Sequence, residues 1–190
     1  MRISGGAARG VTLLVPKGDL TRPATDGMRQ AVFSSLAARL PEARFADLFA
    51  GSGAYGLEAF SRGAAGGVFV EKNAKAADCI RKNITAVAKS AARPESALTL
   101  LASGDALAWT PVAGGEPDLV FIDPPYEMIA ETGPRLLARL AVALAGAADP
   151  VIVFEMPGEL TLEPPAGWEC AKRLGKGARQ PTVCFFRRAR

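Results

Sequence analysis

The sequence predicts an α/β domain on a doubly wound, mostly parallel sheet of seven strands, with an antiparallel C-terminal hairpin and a small N-terminal β-hairpin. Three observations predict it. Short apolar runs alternate with helical periodicity over residues 45–155. A glycine-rich stretch, Asp47-Leu48-Phe49-Ala50-Gly51-Ser52-Gly53-Ala54-Tyr55-Gly56, follows the first apolar run and leads into Leu57-Glu58-Ala59-Phe60, as when a strand turns sharply into a helix. The last two strands, Trp168 to Arg173 and Thr182 to Arg187, have no helix between them and so pair as antiparallel neighbours.

Residues 2–15 predict the N-terminal hairpin, with Gly5-Gly6 and Gly10 as turn material and Val11 to Val15 as a strand. Lys17 to Ala24 is a Pro/Gly-rich linker, which divides the chain into a hairpin and linker at 1–24 and the main domain at 25–190. Thr25 or Asp26 caps a helix whose inner face carries Met28, Val32, Leu36 and Leu40. Buried strands follow at Phe45 to Phe49 and Gly67 to Glu71. Asn73 caps a helix with an inner stripe of Ala76, Ile80, Ile84 and Val87 and an outer row of Lys75, Lys82 and Lys89. Leu98 to Leu101 and Asp118 to Ile122 are the next strands. Leu136, Leu137, Leu140 and Leu144 line a further helix, and Val151 to Glu155 closes the parallel series.

At 190 residues, 49% hydrophobic and 22% charged, the chain has the composition of one soluble domain with a full core. Its longest apolar stretch, residues 136–148, is broken by Arg139 and Gly146 and is too short to span a bilayer. The N-terminus has no signal-peptide pattern, so a cytoplasmic protein without a membrane partner is expected. Cys79, Cys170 and Cys184 lack metal-ligand spacing and read as small buried residues in a reducing compartment. With no histidine, the chain supplies no Ser-His-Asp triad and no imidazole ligand, and no metal is expected. Residues 1–30 carry five Lys/Arg against two acids and residues 168–190 seven against one, whereas residues 31–167 carry eleven against sixteen. Basic ends around an acidic middle favour a polyanion-binding face.

Gly51, Gly53 and Gly56 satisfy G-x-G-x-x-G, with Glu71 twenty residues beyond Gly51, the spacing of a dinucleotide site. Asp47 opposes that reading, because a carboxylate before the glycines repels a pyrophosphate and attracts a cation. Asp47, Glu71, Asp105 and Asp123 each fall at or just beyond a strand end, and in a doubly wound sheet those ends share one edge. Together they suggest a cationic, ribose-bearing ligand. Glu71 is suited to ribose hydroxyls, Asp105 to an adenine amino group and Asp47 to an ammonium, the parts of S-adenosyl-L-methionine.

Asp123-Pro124-Pro125-Tyr126 is the sharpest motif. Pro-Pro removes two backbone donors and fixes an extended turn, exposing the Asp123 carboxylate and the Pro124 carbonyl as paired acceptors. An exocyclic nucleobase amine has two hydrogens and a lone pair delocalised into the ring. Two acceptors holding both hydrogens would aim that lone pair at an electrophilic methyl, so orientation could carry much of the catalysis. Tyr126 offers a face on which the base stacks, worth about 1–3 kcal/mol.

On these residues the sequence resembles class I S-adenosylmethionine-dependent methyltransferases, and more closely the RsmD family of bacterial small-subunit rRNA guanine-N2 methyltransferases. The resemblance runs through Met1-Arg2-Ile3 to Arg9-Gly10, Arg22-Pro23-Ala24-Thr25-Asp26 with Arg29 and Phe33, Asp47-Leu48-Phe49-Ala50-Gly51-Ser52-Gly53, Leu57-Glu58-Ala59, Ser61-Arg62-Gly63-Ala64, Val70-Glu71, Asn83 and Asp123 to Tyr126. It implies that Asp47, Phe49, Gly51, Gly53, Glu71, Asp105 and Ala106 hold the cofactor, and that Asp123, Pro124 and Tyr126 hold a flipped guanine. It implies further that Arg2, Arg9, Arg22, Arg29, Arg173, Lys176 and Arg179 contact RNA. The implied substrate is 16S rRNA of the small ribosomal subunit at guanine 966, methylated by a monomer. The chain departs from the family pattern in three places. Met156 follows Glu155 where His is common, Asn73 replaces an acid, and Arg173-Leu174-Gly175-Lys176-Gly177 replaces an Arg-x-Tyr-Gly-Asp-Thr-like tip. A DNA adenine-N6 or cytosine-N4 methyltransferase is the alternative, disfavoured by the lack of a separate target-recognition domain. A dehydrogenase and a non-catalytic RNA-binding module rank below it.

Overall fold

The computed structural model describes residues 1–16, 26–175, 177 and 180–190. The strands are β1 (Arg44–Leu48), β2 (Gly66–Glu71), β3 (Leu98–Ala102), β4 (Leu119–Ile122), β5 (Val151–Pro157), β6 (Trp168–Leu174) and β7 (Pro181–Arg188). They form one sheet in the order β3-β2-β1-β4-β5-β7-β6. The pairs among β1 to β5 are parallel, and β7 runs antiparallel to both β5 and β6. The helices are α1 (Asp26–Ser35), α2 (Ala54–Ser61), α3 (Ala74–Ala91) and α4 (Tyr126–Ala143).

A parallel sheet covered on both faces needs apolar side chains in both directions along each strand. Phe45, Phe69, Phe121, Val153 and Phe185 point into one core with α1, α2 and α3, while Ala46, Leu48, Val70, Val120, Ile122, Ile152 and Phe154 join α4 in the other. The first core is an aromatic stack: Tyr55 lies on Phe121 with ring centroids 5.5 Å apart, and Phe69 meets Phe45 edge-on at 5.4 Å. Gly56 lets α2 close over those rings, since a Cβ there would lie 2.4 Å from the Phe69 ring and 2.5 Å from Phe45.

The α3 expectations hold. Ala76, Ile80, Ile84 and Val87 are buried, Lys75, Lys82 and Lys89 are exposed, and the Asn73 side chain accepts from Lys75 N and Ala76 N. The strand expected at Leu98 to Leu101 is β3, and as an edge strand it is mostly exposed. Other expectations need correction. Helix α1 starts at Asp26 but stops at Ser35, so Leu36 and Leu40 reach the core around a short 3-10 turn instead of on the helix; Thr25 lies outside the described residues. Helix α4 begins at Tyr126, ten residues before its leucine stripe, and carries Pro134 inside. Cys170 is exposed.

The N-terminal segment reverses as a minimal hairpin with one bridge, Arg2 to Thr12, and no regular strand among its described residues. Its anchors lie elsewhere. Ser4 donates from N and Oγ to the buried Glu58 carboxylate, both at 2.8 Å. Asn83 of α3 accepts from Leu14 N and donates to Leu14 O and Ser52 O, tying the segment to the glycine turn. Ile3, Ala8 and Leu13 are buried in the first core. Among the described residues no helix is long and apolar enough to cross a membrane.

Gly56→Ala is expected to cost about 1–3 kcal/mol of stability in urea unfolding through overpacking of the Phe45 and Phe69 rings. Gly27→Ala, on open helix surface, should instead stabilise by about 0.4–1 kcal/mol; the opposite ordering would contradict this packing.

Candidate active site

Parallel pairing fixes the site. Leu48 sits beside Ile122 on one side and Val70 on the other, so the chain leaving β1 passes between the ends of β4 and β2. It leaves sharply. Phe49 has φ 59°, in the left-handed region that non-glycine residues rarely occupy, and Gly51 (φ 56°) and Gly53 (φ 77°) follow in the same region. Gly53 then begins α2. A Cβ at Gly51 would meet only the Phe49 carbonyl, at 3.9 Å, so backbone on that side of the turn is open to a ligand.

Asp47 is buried and its Oδ2 accepts from Gly56 N at 2.9 Å. Burial, reinforced by the Glu71 charge and opposed by the Gly56 N–H, pushes its carboxyl up to about 8. Glu71 accepts from Gly51 N (2.8 Å) and Asn73 N (2.7 Å), one on each oxygen. An ionised carboxylate offers about four lone pairs, which leaves one on each oxygen for a ribose hydroxyl. Asp105 is exposed and accepts from Leu107 N, while Ala106 beside it is buried. Arg139 of α4 fastens this loop through the carbonyls of Ala106 and Trp109.

On the far side of β1, Asp123 and Pro124 continue from β4, and Tyr126 opens α4. Ile122 pairs with Phe154, so Asp123 and Glu155 are the next residues along their strands, side by side. Glu155 is buried, and its Oε2 accepts from the Tyr55 hydroxyl at 2.8 Å and its Oε1 from the Tyr126 hydroxyl at 3.4 Å. Asp123 is pushed well above the usual carboxylate range by burial, then by the charges of Glu155 and Asp47. Glu155 is pushed up by burial and held back by the two tyrosine hydroxyls.

The structure thus gathers Asp47, Phe49, Gly51, Gly53, Glu71, Asp123, Pro124 and Tyr126 along the C-terminal strand ends, with Asp105 and Ala106 just past β3. The basic residues divide. Arg2 and Arg9 are exposed. Arg173 is exposed but donates to the carbonyls of Gly158 and Leu160, at 2.8 and 3.0 Å. Arg29, expected to face RNA, is a correction. It is 1% exposed and bound to Arg2 O (2.6 Å) and Asp26 (2.9 Å), with Glu58 at 3.7 Å. A guanidinium drawn inward by a buried carboxylate is not on an RNA-facing surface. Arg22, Lys176 and Arg179 lie outside the described residues.

Sequence reasoning gave no role at the site to Tyr55, Glu58, Asn83, Arg139 and Glu155. Glu155 carried the signal that singled out the other acids, a carboxylate ending a parallel strand; Tyr55 carried none, since its partner is one hundred residues away. A cleft of about 380 Å³ opens elsewhere, at the N-terminal strand ends between Arg44, Gly66, Ala97 and Trp109. None of the expected site residues lines it, and the strand-end chemistry lies at the opposite edge.

The strand order and the antiparallel last hairpin define a Rossmann-like methyltransferase fold. The chain belongs to the family described as Conserved hypothetical protein 95, the RsmD family, whose model matches residues 1–186. A solved structure of a putative methyltransferase, yhhF, from Escherichia coli superposes with a TM-score of 0.76 at 30% identity, covering 99% of this chain and 97% of that one. The chain is 36% identical over 126 residues, 66% of its length, to Ribosomal RNA small subunit methyltransferase D of Escherichia coli K12. It is 37% identical over 84 residues, 44% of its length, to the Putative rRNA methyltransferase YlbH of Bacillus subtilis. The matched stretches span 60% and 46% of those two relatives.

Because burial pushes the Asp47 carboxyl up to about 8 from its ordinary value of 3.8, the folded state binds the extra proton between those limits, and stability falls as pH rises through them. Asp47→Asn removes that loss. It is expected to be more stable than wild type at pH 8, with the difference shrinking toward pH 4; a pH-independent difference in urea midpoint would contradict the assignment.

Proposed function

We propose that this chain methylates the exocyclic N2 amine of guanine 966 in 16S rRNA, using S-adenosyl-L-methionine, within an assembled or assembling small subunit. The observation that carries the reading is the Asp123-Pro124-Pro125-Tyr126 turn on β4 lying directly beside the glycine turn on β1. Two acceptors for an amine and a strand-end pocket for a cofactor share one crevice.

The residues present fit S-adenosyl-L-methionine. Glu71 has lone pairs to spare for the ribose, Asp105 stands past β3 for the adenine amine, and the buried Asp47 carboxyl is a group whose ionisation a nearby cation favours. When bound, the cofactor supplies a methyl carbon on a sulfonium, and its transfer leaves a neutral thioether and frees one proton from the amine. Asp123 Oδ and Pro124 O would hold the two amine hydrogens, and the Tyr126 ring would lie against the flipped base. Extruding the base costs a few kcal/mol, less in an unpaired loop than in a duplex. The rRNA substrate is supported by the Escherichia coli relative's name and by the basic ends of the chain.

Incubating the protein with methyl-labelled S-adenosyl-L-methionine and small subunits, naked 16S rRNA or duplex DNA tests the reading. Label on a guanine N2 of the subunit or rRNA is expected. Label on DNA alone would transfer the chain to the DNA amino-methyltransferases, and RNA binding without transfer would make it a binding module. Asp123→Ala should lower turnover by about 10²–10⁴-fold while leaving S-adenosylhomocysteine affinity unchanged by calorimetry. Replacing Lys176 and Arg179 together by Ala should weaken rRNA binding and flatten its salt dependence by roughly one to two units of slope; an unchanged slope would remove these residues from the RNA face.

A further inference from the structure

Glu155 does more than occupy a place in β5. Its two oxygens are each engaged by a tyrosine hydroxyl, one from the helix that follows the glycine turn and one from the residue assigned to base stacking. Tyr55 is immobilised by its stack on Phe121 and contact with Phe33. Tyr126 is 37% exposed at the mouth of the crevice. A rigid buried tyrosine therefore holds a carboxylate, and the carboxylate holds the exposed ring. The same carboxylate stands next to Asp123 at the strand ends.

We propose that Glu155 is a positioning residue of the transfer site, fastening Tyr126 over the base pocket and making Asp123, by its negative charge, the group that receives the amine proton. The inference rests on the proposed methyl transfer. As the bond from the amine nitrogen to the methyl carbon forms, the nitrogen gives up one proton, and Asp123 takes it to become a neutral carboxylic acid. A carboxylate next to a second buried negative charge binds a proton more firmly than an isolated one. The ionisable groups around Asp123 are Glu155 on β5, Asp47 on β1 with Glu71 beyond it on β2, Tyr55 on α2 and Tyr126 at the start of α4; Arg29 of α1 acts on Tyr55. Asp47 is present in every variant below, so the comparison isolates Glu155.

Two readouts test this. Carbon NMR of carboxyl-labelled protein, with Asp123 assigned by its loss in Asp123→Asn, follows the titration without any RNA. In wild type Asp123 and Glu155 should titrate as an interacting pair, and in Glu155→Gln the Asp123 titration should move to lower pH. The acidic limb of the pH profile for rRNA methylation should move with it, alongside a roughly 10- to 100-fold loss in kcat/KM and unchanged cofactor affinity. Tyr126→Phe keeps the ring but removes the hydroxyl, and should reproduce much of that loss. Independent titration of the two carboxyls in wild type, an unmoved Asp123 in Glu155→Gln, or full activity in Tyr126→Phe would each overturn the assignment, and the first of these needs no variant of Glu155 to fold. Absence of methyl transfer by wild type would instead refute the proposed function, while the carboxyl titration would still decide whether Glu155 governs Asp123.

Discussion

The parallel pairing of β1 with β4 is the constraint on which the rest of the molecule depends. The strand order reverses there, with β2 and β3 built outward on one side and β4 and β5 on the other. The connections after β1 and β4 therefore leave toward opposite faces, one into α2 and one into α4, and a crevice stays open between them. The left-handed Phe49 and the glycines after it let the chain turn away within a few residues of Leu48. Pro124 and Pro125 keep the second turn extended beside the first. Neither turn would make a site alone.

Electrostatics sets the character of that crevice. Asp47, Glu71, Asp123 and Glu155 gather near the strand ends at one edge, and burial raises the carboxyls of Asp47, Asp123 and Glu155 above their ordinary range. Burying carboxyls in this way costs stability as pH rises toward the range where they ionise, a common kind of cost at functional sites. Arg29 and Arg62 converge on Glu58, which also takes two hydrogen bonds from Ser4. That buried carboxylate anchors the N-terminal segment to α2, and with Asn83 it holds the segment against the glycine turn. Breaking such a buried ion pair by removing one partner commonly costs 3–5 kcal/mol. Arg29 was placed among the RNA contacts by resemblance, but its location makes it part of this scaffold.

The sequence made the fold legible wherever local pattern and tertiary environment agree. Strand ends marked by acids, the Asn73 cap and the stripe of α3 could be read because each depends on residues within one or two turns of chain. Legibility ends where the environment decides. An apolar run such as Leu98 to Leu101 does not say whether its strand is central or at an edge, and β3 is at an edge. A helix pattern does not announce where it yields to a 3-10 turn, so Leu36 and Leu40 bury their side chains outside α1.

By itself, the sequence determined the doubly wound class, the two turns that meet at the crevice and the acids that border it, because each is written in residues close together along the chain. Only the tertiary structure decided which charged groups face the crevice and which support it. Tyr55 and Glu155 are one hundred residues apart and meet because β5 lies next to β4. Arg29 points inward because Glu58, on another helix, needs a cation in a place without water. Long-range partners of this kind leave no local periodicity. They are fixed by the order of strands in the sheet and by the cost of leaving a buried charge alone.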